Sequence, residues 1–421
     1  MRNSIFWWFL IGFMVLLDIY FFQALRIVTQ SASARTRTFI HTGYWILSVS
    51  AIIILLILPY LKIEKQAWIG RSTLFAMIAG LFFAKLIASL FFLTDDLRRG
   101  IQWTAGKLSG TRASNPGGDS EKISRSLFFS WAGMLAGSTL FGSLIYGFGN
   151  KYRYQVKRLK LRFANLPSAF RGLRIVHISD IHSGSFTDKE AVMKGVEKIR
   201  QENPDLILFT GDLVNNLASE MDDYMDVFDK LEAPLGVYST LGNHDYGDYV
   251  RWDSPEDKKA NLERLKEVHR ALGWKLLENE HVVLERGGDR IAVIGIENWS
   301  AKANFPKYGD LKKAHAGTES YQFRILLSHD PSHWKAEVLE SYPGIDLTLS
   351  GHTHGMQFGV EIPGLKWSPV QYIYREWAGL YEIRSGSGNS PRRLYVNRGY
   401  GFLGYPGRVG ILPEITVLEL S

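Results

Sequence analysis

Leu173–Ser179 reads LRIVHIS, and it is followed at once by Asp180, Ile181 and His182. A short apolar run of this kind is typical of a buried β-strand, and the polar residues begin where that strand would end. Four more motifs follow strand-like runs in the same way: Gly211-Asp212, Gly242-Asn243-His244-Asp245, Ser328-His329-Asp330 and Gly351-His352-Thr353-His354. Because α/β sheets place their sites at the carboxyl ends of strands, the arrangement predicts one shared site.

The part of the chain that contains these motifs alternates predicted strands and helices. An amphipathic helix is predicted over Lys189–Gln201, and further helices are predicted over Met221–Leu231 and Glu256–Leu272, with the buried strand Asp205–Thr210 between the first two. Several strand-like runs follow, the last at Glu414–Leu420. Alternating units followed by many strands indicate a layered α/β domain over residues 151–421.

Residues 1–150 have a different composition. Four apolar stretches lie at about 5–22, 44–61, 74–93 and 127–148, each long enough to cross ~30 Å of hydrocarbon as a helix. Trp7, Tyr20, Tyr44 and Trp131 lie near the ends of the stretches, as aromatic residues at membrane interfaces do. The composition therefore predicts an all-α transmembrane domain and an integral, multi-pass membrane protein.

Two ionisable residues, Asp18 and Lys85, lie inside the predicted spans. A charge near the middle of a span is costly and usually faces a partner or a wet cavity. We therefore expect Lys85 to pair with Asp18 or to receive an anionic lipid headgroup. Asp18 is close to a span end, where snorkelling to the interface is the simpler expectation.

The net charge of +7 is modest for 421 residues, and there is no cysteine. No Lys/Arg-rich block interleaved with aromatic residues occurs after residue 150, so nucleic acid is not an expected partner. Basic residues are nearly balanced between the two sides of the membrane. The dense run Lys151–Arg162 favours a cytoplasmic soluble domain, at a bacterial inner membrane.

The five motifs offer carboxylate, amide and imidazole ligands, a set that suits a first-row divalent cation. Side chains alternate along an extended segment, so Asp180 and His182 are expected to face one way. The same holds for His352 and His354. Two cations ~3.5–4 Å apart clamp the oxygens of a phosphate and need a bridging carboxylate, for which Asp212 is the natural candidate. Each motif alone is weak evidence for a metal site, and the prediction rests on all five occurring in this order.

The order D-x-H, G-D, G-N-H-D, H and G-H-x-H resembles the signature of the calcineurin-like metallophosphoesterase family. The stretches HISDIHSG, LSGHTHGMQFG and YVNRGYG look like its bacterial, membrane-associated branch, and the resemblance covers about Lys157 to Leu420. It implies a β-sandwich flanked by helices, with two divalent metal ions at one edge. Mn²⁺ is favoured, and Fe, Zn or Co would also suit. It also implies that a hydroxide held by the metals attacks phosphorus.

The resemblance further implies a role for each motif residue. One metal would take Asp180, His182, Asp212 and His354, and the other would take Asp212, Asn243, His329 and His352. The catalytic residues would be Asp212 and His244, the latter contacting the phosphate or protonating the leaving oxygen.

One departure from the family pattern bears on the substrate. Protein Ser/Thr phosphatases of this family follow Gly-Asp with an Asp-Arg pair that orients the histidine of the GNH motif. Asn215 and Asn216 stand near that place here, which argues against phosphoprotein substrates. Asp245 or Asp330 is then the expected partner of His244.

Two segments around the motifs each have two interpretations. Trp299–Ser320 is a cap over the site or a solvated loop. Pro363–Tyr381, which is rich in aromatic residues, packs them on the sandwich or forms a lip that grips a lipid and its phosphate. In the second case the substrate-binding residues would be Asn243, His244, Trp367, Arg375 and Trp377.

The soluble domain follows the last span within a few residues, so its site is expected near a membrane surface. The expected function is hydrolysis of a phosphoester or pyrophosphate in a lipid-linked or membrane-adjacent small molecule. UDP-2,3-diacylglucosamine is a recognised substrate of membrane-bound family members. Alternatively, the spans form a ligand-binding or transport module coupled to a phosphodiesterase for a soluble nucleotide. Membrane lipids are expected partners, and no protein partner is evident.

Overall fold

The structure is a computed structural model that describes residues 5–58, 65–108, 125–302, 305–384 and 391–421. It divides into two units, Met1–Tyr146 and Gly147–Ser421, and each is described by itself. The predicted end of the second span, at residues 59–61, lies outside the described residues.

The first unit is built from helices α1 (Ile5–Val28), α2 (Ala34–Ile57), α3 (Lys65–Leu108) and α4 (Arg125–Gly147). Among the described residues, four stretches are long and apolar enough to cross a membrane: Trp7–Val28, Ala34–Ile57, Arg71–Leu108 and Ser126–Asn150. Both α2 and α3 extend beyond the predicted spans. A helix satisfies its backbone hydrogen bonds internally, so it continues into polar sequence, whereas hydropathy marks only the part that lipid can surround.

Lys85 and Asp18 form a buried ion pair between α3 and α1, with Nζ 2.5 Å from Oδ1. Ser48 and Tyr44 of α2 complete the cluster: Lys85 also donates to Ser48 Oγ at 2.7 Å, and Tyr44 donates to Asp18 Oδ1 at 3.1 Å. The predicted pairing is therefore confirmed. The expectation that Asp18 snorkels is wrong, because its side chain is only 7% exposed and has three partners inside the unit.

The second unit contains most of the regular structure. Its strands, in the described residues, are β1 (Gln155–Leu161), β2 (Arg174–Ile178), β3 (Leu206–Phe209), β4 (Val237–Ser239), β5 (Lys275–Leu276), β6 (Glu280–Arg286), β7 (Asp289–Gly295), β8 (Arg324–Leu327), β9 (Leu347–Ser350), β10 (Val360–Ile362), β11 (Leu365–Trp367), β12 (Gly379–Ile383), β13 (Arg392–Val396) and β14 (Glu414–Leu420). Its helices are α5 (Lys189–Gln201), α6 (Met225–Phe228), α7 (Pro255–Ala271), α8 (Leu311–His315) and α9 (Leu339–Ser341).

These strands form two six-stranded sheets and a hairpin, β10–β11, within the described residues. The first sheet has the order β1-β14-β2-β3-β4-β5, with β2 to β5 parallel. The second has the order β12-β13-β9-β8-β7-β6, and β7, β8, β9 and β13 are parallel. Each of the five sequence motifs follows one of these parallel strands, namely β2, β3, β4, β8 and β9.

The core is divided into layers. Apolar side chains of both sheets, among them Leu206, Leu349 and Leu418, meet in one cluster between the sheets. A second cluster joins the outer face of the first sheet to α5, α6 and α7, and a third joins the outer face of the second sheet to α8 and Trp334. This confirms the α/β sandwich flanked by helices.

One local element differs from the sequence predictions, and two others have regular structure that the sequence did not predict. The helix predicted over Met221–Leu231 is a single turn, α6, because Glu220 accepts backbone N–H groups at Asn215–Leu217 and holds the preceding chain in a tight turn. Trp299–Ser320 contains a short helix, α8, capped by Asp310. Pro363–Tyr381 begins in a hairpin, whose Gly364 has a φ of +82° that suits a tight turn.

Candidate metal centre

Five of the predicted ligands have backbone conformations that non-glycine residues rarely adopt. The φ angles are +52° at Asp180, +49° at His182, +61° at Asp212, +69° at His352 and +49° at His354. These segments are therefore not extended, so the reason given for the alignment is wrong. Asp180 and His182 nevertheless meet in one ligand group, as expected, whereas His352 and His354 lie in different groups. Each such conformation costs on the order of 1–3 kcal/mol, and strain of this kind collects at functional sites.

Two glycines let these turns approach one another. A Cβ atom on Gly351 would lie 1.9 Å from Ser179 Oγ and 2.2 Å from Asp180 Oδ2. A Cβ atom on Gly242 would lie 2.2 Å from Asp212 Oδ1. No side chain fits at either position, so the glycine in each motif makes room for a carboxylate from a different strand.

Asp180, His182 and His354 form the first ligand group. The Nε2 atoms of His182 and His354 are 3.0 Å apart, and His354 Nε2 lies 3.2 Å from Asp180 Oδ1. Asp180 and His182 follow β2 of the first sheet, whereas His354 follows β9 of the second. All three are buried, and their ligand atoms lie within 4.8 Å of one another, as a shared metal ion requires.

Asp212, His329 and His352 form the second ligand group, with ligand atoms again within 4.8 Å of one another. His329 Nε2 lies 3.2 Å from Asp212 Oδ2, and His352 Nδ1 lies 3.3 Å from His329 Nε2. The side-chain oxygen of Asn243 joins them, 2.8 Å from His352 Nδ1 and 3.1 Å from His329 Nε2. The residues proposed as ligands of the second metal are thus brought together.

The two groups meet at one oxygen of Asp212. Its Oδ2 lies 3.5 Å from His182 Nε2 in the first group and 3.2 Å from His329 Nε2 in the second. The other oxygen, Oδ1, accepts the backbone N–H of His244 at 2.8 Å. One oxygen of this carboxylate is therefore fixed by a backbone N–H group, and the other lies between the two ligand groups.

The protonation states suit divalent cations. Burial works against ionising Asp180, but His354 and His329 hold the pKa of its carboxyl well below its usual range. The pKa of Asp212 is likewise lowered, by His329 and His244 against the effect of burial. Burial lowers the pKa of the His182 imidazole to about 3, which leaves it neutral. Ionised carboxylates and neutral imidazole are the forms that bind metal.

The pKa of His329 indicates that the site stabilises positive charge. Burial lowers the pKa of its imidazole, but the charge of Asp212 and the hydrogen bond to it prevail and raise that pKa to about 10. A fully buried histidine is normally neutral, so the field of the two carboxylates favours positive charge at this position. A cation would be stabilised by the same field.

His244 has a different orienting partner from the two that the sequence suggested. Its Nδ1 lies 2.8 Å from the backbone carbonyl of Asn215, and its ring contacts His182 edge to face at 5.0 Å. The Asn215 side chain also serves the site, because its Oδ1 lies 3.1 Å from His182 Nδ1. Asn215, which the sequence marked only as a departure from the family pattern, therefore orients two histidines.

Asp245 and Asp330 are engaged elsewhere, so the expectation that either orients His244 is wrong. Asp245 accepts the backbone N–H groups of Gly242, Asp212 and Leu213, each at 2.8 Å, and so ties together the turns after β3 and β4. Burial, with the nearby charge of Asp212, raises its pKa to about 7.

Tyr374 contacts the second ligand group, and the sequence did not identify it as a site residue. Its hydroxyl lies 2.9 Å from His352 Nε2 and donates to Asp330 Oδ2 at 3.2 Å. His352 therefore has Nδ1 turned to the ligand group and Nε2 turned to Tyr374. The only signal in the sequence was the concentration of aromatic residues after the last motif, which does not single out one tyrosine.

Arg408 lies buried behind the first ligand group. Its Nη2 is 3.3 Å from His354 Nδ1, and its guanidinium donates to the carbonyls of Arg398, Gly399 and Gly401. Burial lowers its pKa to about 9. Nothing in the sequence pattern marked this arginine, because it is 54 residues from its histidine partner.

The three tentative substrate residues outside the motifs lie in different surroundings. Trp377 is buried in a small cluster with Val370 and Ile411. Arg375 is exposed, beside a cavity of about 580 Å³ that Tyr374 also lines. Trp367 is half-buried on β11.

Part of Trp299–Ser320 lies over the ligand residues. The Phe305 ring meets His352 edge to face at 5.0 Å, and Lys302 donates to the carbonyl of Ile373 at 2.9 Å while lying over the Tyr374 ring. Lys302 and Phe305 therefore contact the site, whereas α8 of the same segment packs on the second sheet.

Comparisons with known proteins agree with this geometry. Residues 173–356 match the family model described as calcineurin-like phosphoesterase. Residues 1–150 match a second model, described as "Probable Calcineurin-like phosphoesterase, transmembrane domain".

Three relatives illustrate the range of similar proteins. UDP-2,3-diacylglucosamine pyrophosphatase LpxG of Chlamydia muridarum is 32% identical over 286 residues, 58% of this chain and 81% of the relative. The metallophosphoesterase YkuE of Bacillus subtilis is 29% identical over 72% of this chain and 99% of its own. A transmembrane protein with a metallophosphoesterase domain from Danio rerio is 30% identical over 63% of this chain, which spans only 57% of that relative.

The fold, the ligand groups and these matches make the chain a metallophosphoesterase, an enzyme that hydrolyses phosphoric esters. It belongs to the calcineurin-like phosphoesterase family, in the form that carries an N-terminal four-helix membrane domain. It is therefore a membrane protein.

Proposed function

We propose that this enzyme uses two divalent metal ions to cleave a phosphoester or pyrophosphate bond in a lipid-linked, membrane-adjacent substrate. The observation that carries the dinuclear proposal is the position of Asp212 Oδ2 between a histidine of each ligand group, at 3.5 and 3.2 Å. Bound there, two divalent cations would neutralise phosphoryl oxygens and make a water acidic enough to serve as the nucleophile. Mn²⁺ is the cation we favour.

The remaining residues bind and orient the substrate. His244 Nδ1 faces the Asn215 carbonyl, so Nε2 is the atom left to bind phosphate or to donate a proton to the leaving oxygen. The Asn243 amide nitrogen donates to the Tyr249 hydroxyl at 2.8 Å, which turns the amide oxygen toward the second ligand group. Positioning before the reaction lowers the barrier because the groups need not reorganise.

The substrate proposal rests on relatives and on the membrane domain. LpxG is named for a pyrophosphatase activity on a diacylated sugar nucleotide, and this chain is 32% identical to it. A UDP-2,3-diacylglucosamine-like molecule, with acyl chains in the bilayer and a phosphate outside it, is the substrate class we propose. We place the catalytic domain on the cytoplasmic face of a bacterial inner membrane, supported by the basic run Lys151–Arg162.

A substrate panel tests the proposal. The full-length protein, purified in detergent and supplied with Mn²⁺, should cleave the UDP-linked lipid in preference to phospholipids, an aryl phosphomonoester and a bis-aryl phosphodiester. Activity on the soluble esters alone would refute a lipid-linked substrate.

Asp212→Ala tests the metal centre. Because Asp212 contacts both ligand groups, the variant should lose its bound metal, measured by mass spectrometry of the protein after dialysis, and its activity. Asp229→Ala, which removes an exposed carboxylate, is the control and should retain both. Full activity in Asp212→Ala would overturn the proposed centre.

A further inference from the structure

The β10–β11 hairpin has its faces reversed relative to a hairpin in water. Register pairs Val360 with Trp367 and Ile362 with Leu365, so these four side chains share one face. Ile362 is 58% exposed and Leu365 is 50% exposed, while Trp367 is half-buried at the edge. The face turned away from the protein therefore contains apolar side chains.

The charged side chains of the hairpin point the other way. Glu361 pairs with Lys366 across the strands, on the opposite face. Glu361 accepts from Arg398 Nη2 at 2.6 Å, and Lys366 donates to the carbonyl of Ala378 and lies over the Trp377 ring. An antiparallel ribbon normally turns its apolar face to the core and its polar face to water, and this one does the reverse.

The apolar face continues into the neighbouring loop. Both Tyr372 and Ile373 are exposed. In the described part of the second unit, six of the ten exposed large apolar side chains lie between Met356 and Ile373. Scattered apolar residues need no explanation, but such a concentration marks a surface that is covered in use.

The base of the hairpin is joined to the place where the last membrane helix ends. Gly359 donates to the Val409 carbonyl at 2.9 Å, and the neighbouring residue, Arg408, donates its backbone N–H to the Gly147 carbonyl at 2.9 Å. Gly147 is the final residue of α4. A short, hydrogen-bonded connection within the second unit thus links the hairpin to Gly147, where the second unit begins.

We propose that this apolar surface, consisting of Val360, Ile362, Leu365, Trp367, Tyr372 and Ile373, rests in the interfacial region of the bilayer that the N-terminal helices cross. Aliphatic side chains flanked by tryptophan and tyrosine are the composition that this region favours. The bilayer is the occupant that fits, because the base of the hairpin is hydrogen-bonded, through Val409 and Arg408, to the end of the candidate membrane helix α4.

Two residues of the surface lie beside a contact of the metal centre. Tyr372 and Ile373 line the same cavity as Tyr374, whose hydroxyl contacts His352 at 2.9 Å. A phosphoester carried by a lipid could therefore reach the ligand groups while its acyl chains stay in the bilayer. This consequence rests on the proposed function, whereas the membrane contact itself does not.

Because the chain has no cysteine, one fluorescent probe can be attached at a chosen position. An environment-sensitive fluorophore is attached to the cysteine of the Ile362→Cys variant in the full-length protein. The labelled protein is then reconstituted, one molecule per nanodisc, with nitroxide-labelled lipid. Val283→Cys, at an exposed apolar residue of β6, is the matched control. We expect about a twofold loss of emission at position 362 when the nitroxide lies at the interfacial depth, and no loss at position 283.

Two results would overturn the membrane contact. One is equal, weak quenching at both positions. The other is a probe at position 362 that is shielded from aqueous iodide yet is not quenched by the nitroxide lipid, which would mean that protein covers the surface instead.

A kinetic test addresses substrate delivery separately. Ile362→Glu combined with Leu365→Glu should raise KM for the UDP-linked lipid about tenfold or more, while hydrolysis of a bis-aryl phosphodiester stays at the wild-type rate. Val283→Glu should change neither. An unchanged KM would refute delivery through this surface. If the wild-type enzyme cleaves no ester at all, the proposed function fails while the quenching result stands.

Discussion

The imidazole of His352 is held at both nitrogens, which fixes the atom it offers to a metal. Nδ1 faces Asn243 and His329, and Nε2 faces the Tyr374 hydroxyl at 2.9 Å with Asp330 beyond it at 3.6 Å. An outer partner of this kind sets the tautomer of a metal-binding histidine and raises its basicity. Tyr374 is thus a positioning residue for the second ligand group.

Tyr374→Phe should weaken Mn²⁺ binding about 10–100-fold, because His352 loses the hydrogen bond at Nε2 while the aromatic packing remains. Calorimetric titration of the metal-stripped full-length protein measures the effect. Tyr342→Phe, which alters a tyrosine packed against His315, is the control and should bind like the wild type. Equal affinity in Tyr374→Phe would show that the hydroxyl does not orient the ligand.

His244→Ala separates proton donation from phosphate binding. If His244 protonates the leaving oxygen, kcat for an alkyl phosphodiester should fall about 10²–10⁴-fold, because an alkoxide is a poor leaving group. The rate for a nitrophenyl ester, whose leaving group needs no proton, should fall much less. Steady-state kinetics on the two substrates provides the comparison. Equal losses would assign His244 to phosphate binding alone.

The turns that follow β2, β3 and β9 form the site by close approach of backbone to carboxylate. Five ligand residues have positive φ angles, and the strain is held by hydrogen bonds between turns, such as that from the His352 N–H to Asp180 Oδ1 at 3.0 Å. The site is therefore sensitive to any added volume where these turns meet.

Gly351→Ala places a methyl group 2.2 Å from Asp180 Oδ2, so the carboxylate must move. We expect a loss of about 1–3 kcal/mol in the free energy of unfolding, as overpacking usually causes, together with loss of metal from the first ligand group. Thermal unfolding and metal analysis measure the two effects. Gly149→Ala, where a methyl group meets nothing within 4 Å, should be neutral. Full metal content in Gly351→Ala would contradict this account.

The interiors of the two units differ in where they contain charged side chains. The second unit has apolar core layers. Its buried charged side chains include those at the metal centre and ion pairs such as Arg398 with Glu414. The first unit buries Lys85 and Asp18, whose mutual attraction must offset their removal from water. Breaking such a pair by removing one partner is more damaging than replacing both.

Lys85→Met should lower the free energy of unfolding of the membrane unit by about 3–5 kcal/mol, because it leaves Asp18 buried and uncompensated. The double variant Lys85→Met with Asp18→Asn should recover most of that loss. Thermal unfolding of the full-length protein in one detergent compares them. A double variant no more stable than Lys85→Met would indicate that the lysine acts through some other contact.

The sequence by itself determined the classes of element and the chemistry of the ligands. Strand, helix and membrane-span patterns depend on neighbouring residues, so α5 and β14 were predicted with the boundaries that the structure has. The motif order likewise supplied the seven ligand candidates, from Asp180 to His354, that the structure brings together.

Only the tertiary structure decided the contacts around those ligands. The Asn215 carbonyl at His244, the Tyr374 hydroxyl at His352 and the position of Arg408 join residues 22 to 54 positions apart, and no local pattern records such distances. The reversed faces of β10–β11 also escaped prediction, because alternation places side chains on two faces without saying which face meets the protein. Which face is covered depends on the surface that the rest of the fold presents.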